Sequence, residues 1–160
     1  MFTMKLSQLL VRDVMLPGTL ISKGTSISEA VQMLEDHELL SVVDQDGKLV
    51  GAFNESSLFK LVKHEPSLIG DPLWFDHIDP KIGQQPVESI MTTKISTVSL
   101  KDNLASSIKV MNSMGYRAIH VVDSQYRLLG VVRMRDIFLN LFGEGSENKK
   151  TGSARSRRKV

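Results

Sequence analysis

The sequence contains no cysteine. A disulfide framework, a thiolate metal site and a cysteine nucleophile are thereby excluded, and the composition is compatible with a reducing compartment. Long apolar runs are also missing. The opening stretch MFTMKLSQLLVRDVM is interrupted by Lys5, Ser7, Gln8, Arg12 and Asp13, so it lacks the unbroken apolar segment of a secretory signal or a membrane span. A soluble, cytoplasmic protein with no membrane partner is expected. Motifs that carry common chemistries are absent too: there is no Gly-x-x-x-x-Gly-Lys-(Ser/Thr) phosphate loop and no Gly-x-Ser-x-Gly nucleophile turn. The four histidines, His37, His64, His77 and His120, show neither HxH nor HExxH spacing, so metal binding and catalysis are not expected. His120 reads as a strand residue with a satisfied ring. The eight methionines, with Met91, Met111 and Met114 on apolar faces, read as core filler.

What is present suffices for one compact core: 160 residues, 41% of them hydrophobic. The formal net charge of +2 hides a division. Lys149, Lys150, Arg155, Arg157, Arg158 and Lys159 crowd into the last dozen residues, and residues 1–148 are net acidic. The tail at 143–160 has only small and charged residues, cannot recover its ordering entropy by burial, and is expected to be disordered.

Internal similarity is the strongest signal. LLSVVDQDGKLVGAF, Leu39 to Phe53, aligns without gaps on AIHVVDSQYRLLGVV, Ala118 to Val132, at a register of 79 residues. Each copy reads as a hairpin: a β-branched run, a polar turn opened by Asp44 or Asp123, and a second apolar run through Gly51 or Gly130. Upstream lie helical patterns, Ile27, Ala30, Val31 and Leu34 in one copy and Leu104, Ile108 and Met111 in the other. Ser26 with Glu29 forms a capping box, and Asp102 or Asn103 can cap the second helix. Further helices are expected at Ser56–Val62 and Met134–Phe142, and short extended pieces at Thr19–Ser22 and Ser96–Val98. Each is preceded by a Val-x-x-(Val/Ile)-Met lead-in, at Val11–Met15 and Val87–Met91.

The resulting order, β-α-β-β-α in each of two repeats, defines an α/β (α+β) fold with the repeats packed sheet to sheet about a pseudo-two-fold axis. The expected boundaries are 9–62 for the first repeat, 63–86 for a proline-rich connector, 87–142 for the second repeat and 143–160 for the basic tail. Trp74 and Phe75 of the connector read as cover for a core edge, with a lid or subunit contact as the alternative.

With this order, the paired lead-ins, the VVD hairpins and a glycine followed six residues later by Asp136, the chain resembles a tandem pair of cystathionine-β-synthase (CBS) domains, a Bateman module. The resemblance covers Leu9 to Phe142. It implies a regulatory module that needs no cofactor for catalysis and binds AMP, ADP, ATP or S-adenosylmethionine in a cleft between the repeats. It also implies a homodimer that signals to a protein partner the sequence does not identify. In the family pattern Gly-h-x-(Ser/Thr)-x-x-Asp, with h apolar, the aspartate accepts from both ribose hydroxyls. That position is Asp136 here, with Arg133 in the hydroxyl place; the first copy offers Asn54 and Ser57 instead. By the same resemblance Arg117 is a phosphate contact, and Val11, Val14, Met15, Leu39 and Leu40 wall the adenine. Arg117, Arg133 and Arg135 near a helix start would favour phosphate, whereas Glu38, matching Arg117 in the repeat, would repel it.

Each reading has a plainer counterpart. Asp136 can simply complement a helix dipole, and isolated arginines are usually solvated. The rival function is a ligand-free dimerisation or docking module, with the basic tail touching nucleic acid through phosphate neutralisation alone, since it lacks aromatics for stacking.

Overall fold

The computed structural model describes residues 5–63 and 79–143. The expectations for Trp74 and Phe75 and for the basic tail lie outside those residues.

In the first repeat, α1 (Val11–Val14) leads to β1 (Thr19–Ser22), α2 (Ile27–Met33), β2 (Leu40–Val43), β3 (Leu49–Phe53) and, after a 3-10 turn, α3 (Phe59–Lys63). The second repeat holds a 3-10 turn at Val87–Ser89, then β4 (Thr97–Val98), α4 (Leu104–Met114), β5 (Ala118–Val122), β6 (Leu128–Arg133) and α5 (Met134–Phe142). Each repeat forms a three-stranded sheet, with a parallel pair made across the helix and an antiparallel hairpin. Parallel pairing follows because the intervening helix returns the chain to the starting end of the sheet.

Local chemistry sets the element ends. Ser26 Oγ accepts from Glu29 N–H, and Asn103, rather than Asp102, caps α4 through Ser106 N–H. The aspartates that open the hairpin turns act identically: Asp44 Oδ1 accepts from the N–H groups of Asp46 and Lys48, and Asp123 Oδ1 from those of Gln125 and Arg127. Both turns then need a left-handed residue, supplied by Gly47 at φ 77° and, in the second copy, by Tyr126 at φ 64°. Both hairpins slip register at the same place, Val42/Val43 and Val121/Val122.

The sheets meet on the pseudo-two-fold axis, because residues 79 apart touch each other. Ser41 Oγ lies 3.1 Å from His120 Nδ1, and Lys48 bridges Arg127, where Leu49 N–H donates to Tyr126 C=O and Leu128 N–H to Gly47 C=O. Only a residue on the axis can contact its own equivalent.

Two apolar clusters form, and the lead-ins are exchanged between them. Val11 and Val14 pack with Val98, Leu104, Met111, Ile119 and Ile137 of the second repeat. Val87 and Ile90 pack with Ile21, Ile27, Ala30, Leu40 and Phe53 of the first. Backbone pairing locks the exchange: Leu16 bridges Val131, and Thr92 bridges Ala52. The crossings explain the glycine of each hairpin, since a Cβ on Gly130 would stand 2.5 Å from Leu16 O, and one on Gly51 would collide with the Met91 side chain. Two expectations need correction. Val31 and Met114 stay exposed, because α2 is short and buries only Ile27 and Ala30, while α4 turns Leu104, Ser107 and Met111 inward.

A candidate ligand cleft between the repeats

A cleft of about 350 Å³ opens between the repeats. The first repeat contributes Leu16, Pro17 and Thr19 together with Leu34–Leu39, the loop joining α2 to β2. From the second come Ala118, Val131, Arg133 and Arg135, at the ends of β5 and β6 and the start of α5. Hairpin geometry puts these ends at one rim. Ala118 pairs with Arg133 in the β5–β6 ladder, and Leu16 is hydrogen-bonded to Val131 in both directions. Thr19 Oγ1 meets His37 Nδ1 at 3.1 Å on the opposite wall.

Asp136 sits in the first turn of α5, is 6% exposed, and is held by Arg133 through a two-pronged pair, Nε to Oδ2 at 2.5 Å and Nη2 to Oδ1 at 2.9 Å. Three residues separate them across the strand-to-helix junction, which aims the guanidinium fork back at the carboxylate. The bond to Asp136 raises the Arg133 guanidinium still further above its ordinary value. Arg135 is likewise engaged, its Nη2 lying 2.6 Å from Glu38 Oε1 across the mouth of the cleft. That pair is solvent-exposed on both sides and contributes little stability, but it ties the two repeats together.

The structure disperses several of the residues expected at the site. Leu39 lines the cleft, and Met15 packs over Gly130 just behind it. Val11 and Val14 do not wall the cleft; the exchanged lead-in commits them to the second repeat's core, and the residues that follow, Leu16 and Pro17, take the rim instead. Leu40 is a correction of the same kind: strand alternation turns Leu39 to the cleft and Leu40 into the first core, where it is fully buried. Arg117 is exposed and does not line this cleft; Glu38, its equivalent in the repeat, stands there. Arg133 does reach the cleft, but its guanidinium is spent on Asp136. In the first copy Ser57 is buried and serves as a cap: its Oγ accepts from Asn54 N–H while Asn54 Oδ1 accepts from Ser57 N–H.

Residues not anticipated from sequence are Leu16, Pro17, Thr19, Leu34, Glu35, Asp36, His37, Ala118 and Val131. The acidic loop was readable as polar sequence between α2 and β2, yet nothing local marks it as facing the other repeat. Among the described residues no group of three His, Asp or Glu side chains stands close enough to hold a metal ion, and no helix is long and apolar enough to cross a membrane.

Comparison with known proteins agrees with this fold. The CBS domain family matches at residues 11–64 and again at 87–143. The chloroplastic CBS domain-containing protein CBSX1 of Arabidopsis thaliana is 26% identical over 127 residues, 70% of this chain and 54% of that protein. Among solved structures, the CBS domain pair of protein MJ0100 in complex with 5′-methylthioadenosine and S-adenosyl-L-methionine superposes with a TM-score of 0.64 at 26% identity, covering 84% of this chain and 95% of that one. CBSX2 in complex with AMP shares the fold with a TM-score of 0.66 at 22% identity, over 83% and 96% of the two chains. The chain spans 63%, 31% and 54% of the lengths of three curated relatives it matches.

Proposed function

The chain belongs to the CBS domain family and carries two CBS domains in tandem, and from that premise we propose that it is a regulatory module, not an enzyme in its own right, that binds an adenosyl ligand at the Asp136 cleft. The observation that carries this reading is a buried carboxylate at the family's ribose position, held by Arg133, which itself lines a cleft built from both repeats. A diol presented to Asp136 would take over the two carboxylate oxygens that now face Arg133. The ligand would thereby act on both repeats at once, and it shifts their arrangement only by preferring one geometry over another. The MJ0100 pair supports an adenosyl ligand by similarity. A cytoplasmic setting fits the lack of cysteine.

Self-association is part of the proposal. Leu139 and Phe142 of α5 and Phe59 of α3 are large, apolar and more than half exposed, and Phe138 stacks on Phe142 with ring centroids 5.6 Å apart. Exposed apolar side chains of this kind fit contact with a second copy of the module, which would signal onward to a protein partner.

A second reading has its own support: Arg133 already fills Asp136, and Ser57 is consumed as a cap, as in a ligand-free docking module. Isothermal titration calorimetry against adenosine, AMP, ATP and S-adenosylmethionine separates the two. Saturable binding that disappears in Asp136→Asn supports the sensor, and no heat from any of these ligands supports the docking module.

A further inference from the structure

We propose that the Asp136 cleft selects an adenosyl ligand whose 5′ substituent carries no phosphate, and that Glu38 sets this preference; the inference rests on the ligand-binding reading above. Glu35, Asp36 and Glu38 line the cleft beside Arg133 and Arg135, and Asp136 adds a fourth carboxylate behind Arg133. Both guanidiniums are already matched, Arg133 by Asp136 and Arg135 by Glu38. What remains uncompensated is negative.

The start of α5 offers no relief. Asp136 occupies its first turn and already complements the helix dipole, while Met134 N–H donates to Arg117 C=O at 2.8 Å. A phosphate, carrying about −1.5 to −2 charges, would enter a net acidic cleft and would have to displace Glu38 from Arg135. A neutral thioether or a cationic sulfonium in the same place meets no repulsion, and positive charge there is attracted by Glu35, Asp36 and Glu38.

The repeat shows how the preference arises. Glu38 and Arg117 occupy equivalent positions at the 79-residue register, so the charge at this place is reversed between the copies. The operation that carries Glu38 onto Arg117 carries Arg135 onto Ser56, so the acidic residue and its arginine partner are particular to one side of the module. Because Glu38 and Arg135 are both exposed, position 38 can be changed without disturbing either core.

The test is calorimetry at low salt and pH 8, with adenosine and AMP as probes that share base and ribose. Adenosine is expected to bind at least about tenfold more tightly than AMP, with 5′-methylthioadenosine and S-adenosylmethionine ranking with adenosine or better. Added salt should narrow the gap. Glu38→Gln should narrow it further by freeing Arg135, and Glu38→Arg should close it, the quantity read being the ratio of adenosine to AMP affinity within each variant. AMP binding as tightly as adenosine to the wild type, and lost in Asp136→Asn, would overturn the charge preference while leaving the adenosyl cleft intact. An unchanged gap in both Glu38 variants would overturn the assignment to Glu38. No binding of any probe would overturn the preference together with the reading beneath it.

Discussion

Acid should weaken this fold through one residue, His120. The ring is 3% exposed, sits on the pseudo-two-fold axis against Ser41, and burial pushes its pKa down from 6.5 to about 4. An unfolded chain takes up this proton near the ordinary value, whereas the folded one resists until about 4, so between those limits the unfolded state holds more protons. Stability from the neutral ring is therefore complete above about pH 6.5 and is lost as pH falls toward 4. Integrating between pH 7 and pH 5 gives a loss of about 2 kcal/mol from this group alone. Denaturant unfolding followed by far-ultraviolet circular dichroism, at both pH values, measures it. Other groups titrate in the same range, so the informative quantity is the difference between the wild type and His120→Gln, which keeps a polar partner for Ser41 without a titrating ring. The variant should lose about 2 kcal/mol less than the wild type over this interval. Equal losses in the two proteins would refute the idea that desolvation of this ring makes the fold acid-sensitive.

Four substitutions probe other parts of the structure. Arg133→Ser strips Asp136 of its fork and should cost the unliganded protein on the order of 1–3 kcal/mol, because a buried carboxylate is left short of donors. The same change should tighten adenosine binding, since no guanidinium need be displaced; weaker binding in calorimetry would show that Arg133 assists the ligand instead of competing with it. Gly130→Ala should destabilise by roughly 1–3 kcal/mol, since the added methyl meets the Leu16 carbonyl, which cannot turn aside. Gly51→Ala should cost less, as its obstacle is the flexible Met91 side chain, and a reversed order in thermal unfolding would contradict the exchanged lead-ins as the cause. Tyr126→Gly should raise stability by about 0.5–1 kcal/mol by relieving a left-handed tyrosine, as the equivalent Gly47 does in the first copy; a lower melting temperature would show that the half-exposed ring matters more than the backbone.

Much of the fold was legible in the sequence because its signals are local and occur twice. The hairpins, α4 and α5 follow from apolar periodicity, the turns from Asp44 and Asp123 bonding to their own backbone, and the helix starts from Ser26 and Asn103. The sheet-to-sheet arrangement is expected from the repeat itself, since about 50 to 60 residues make a small core on their own. The site was less legible. Leu39 and Leu40 are adjacent and chemically identical, and only the pleat decides which faces the cleft and which the core. Arg133 reads as free in the sequence because nothing local shows that Asp136, three residues on, turns its carboxylate back to the guanidinium.

By itself, then, the sequence determined two copies of one β-α-β-β-α unit, their turn and cap chemistry, and the placing of Asp136 at the start of a helix, since each depends on residues close together in the chain. The tertiary structure alone decided which copy supplies which wall. Val11 and Val14 cross into the second core, Val87 and Ile90 into the first, and Glu38 comes to face Arg135 across 97 positions of sequence. Crossing leaves no periodic trace, because an apolar lead-in buries equally well against either repeat, and the choice appears only when both cores and the backbone bridges at Leu16 and Thr92 form together.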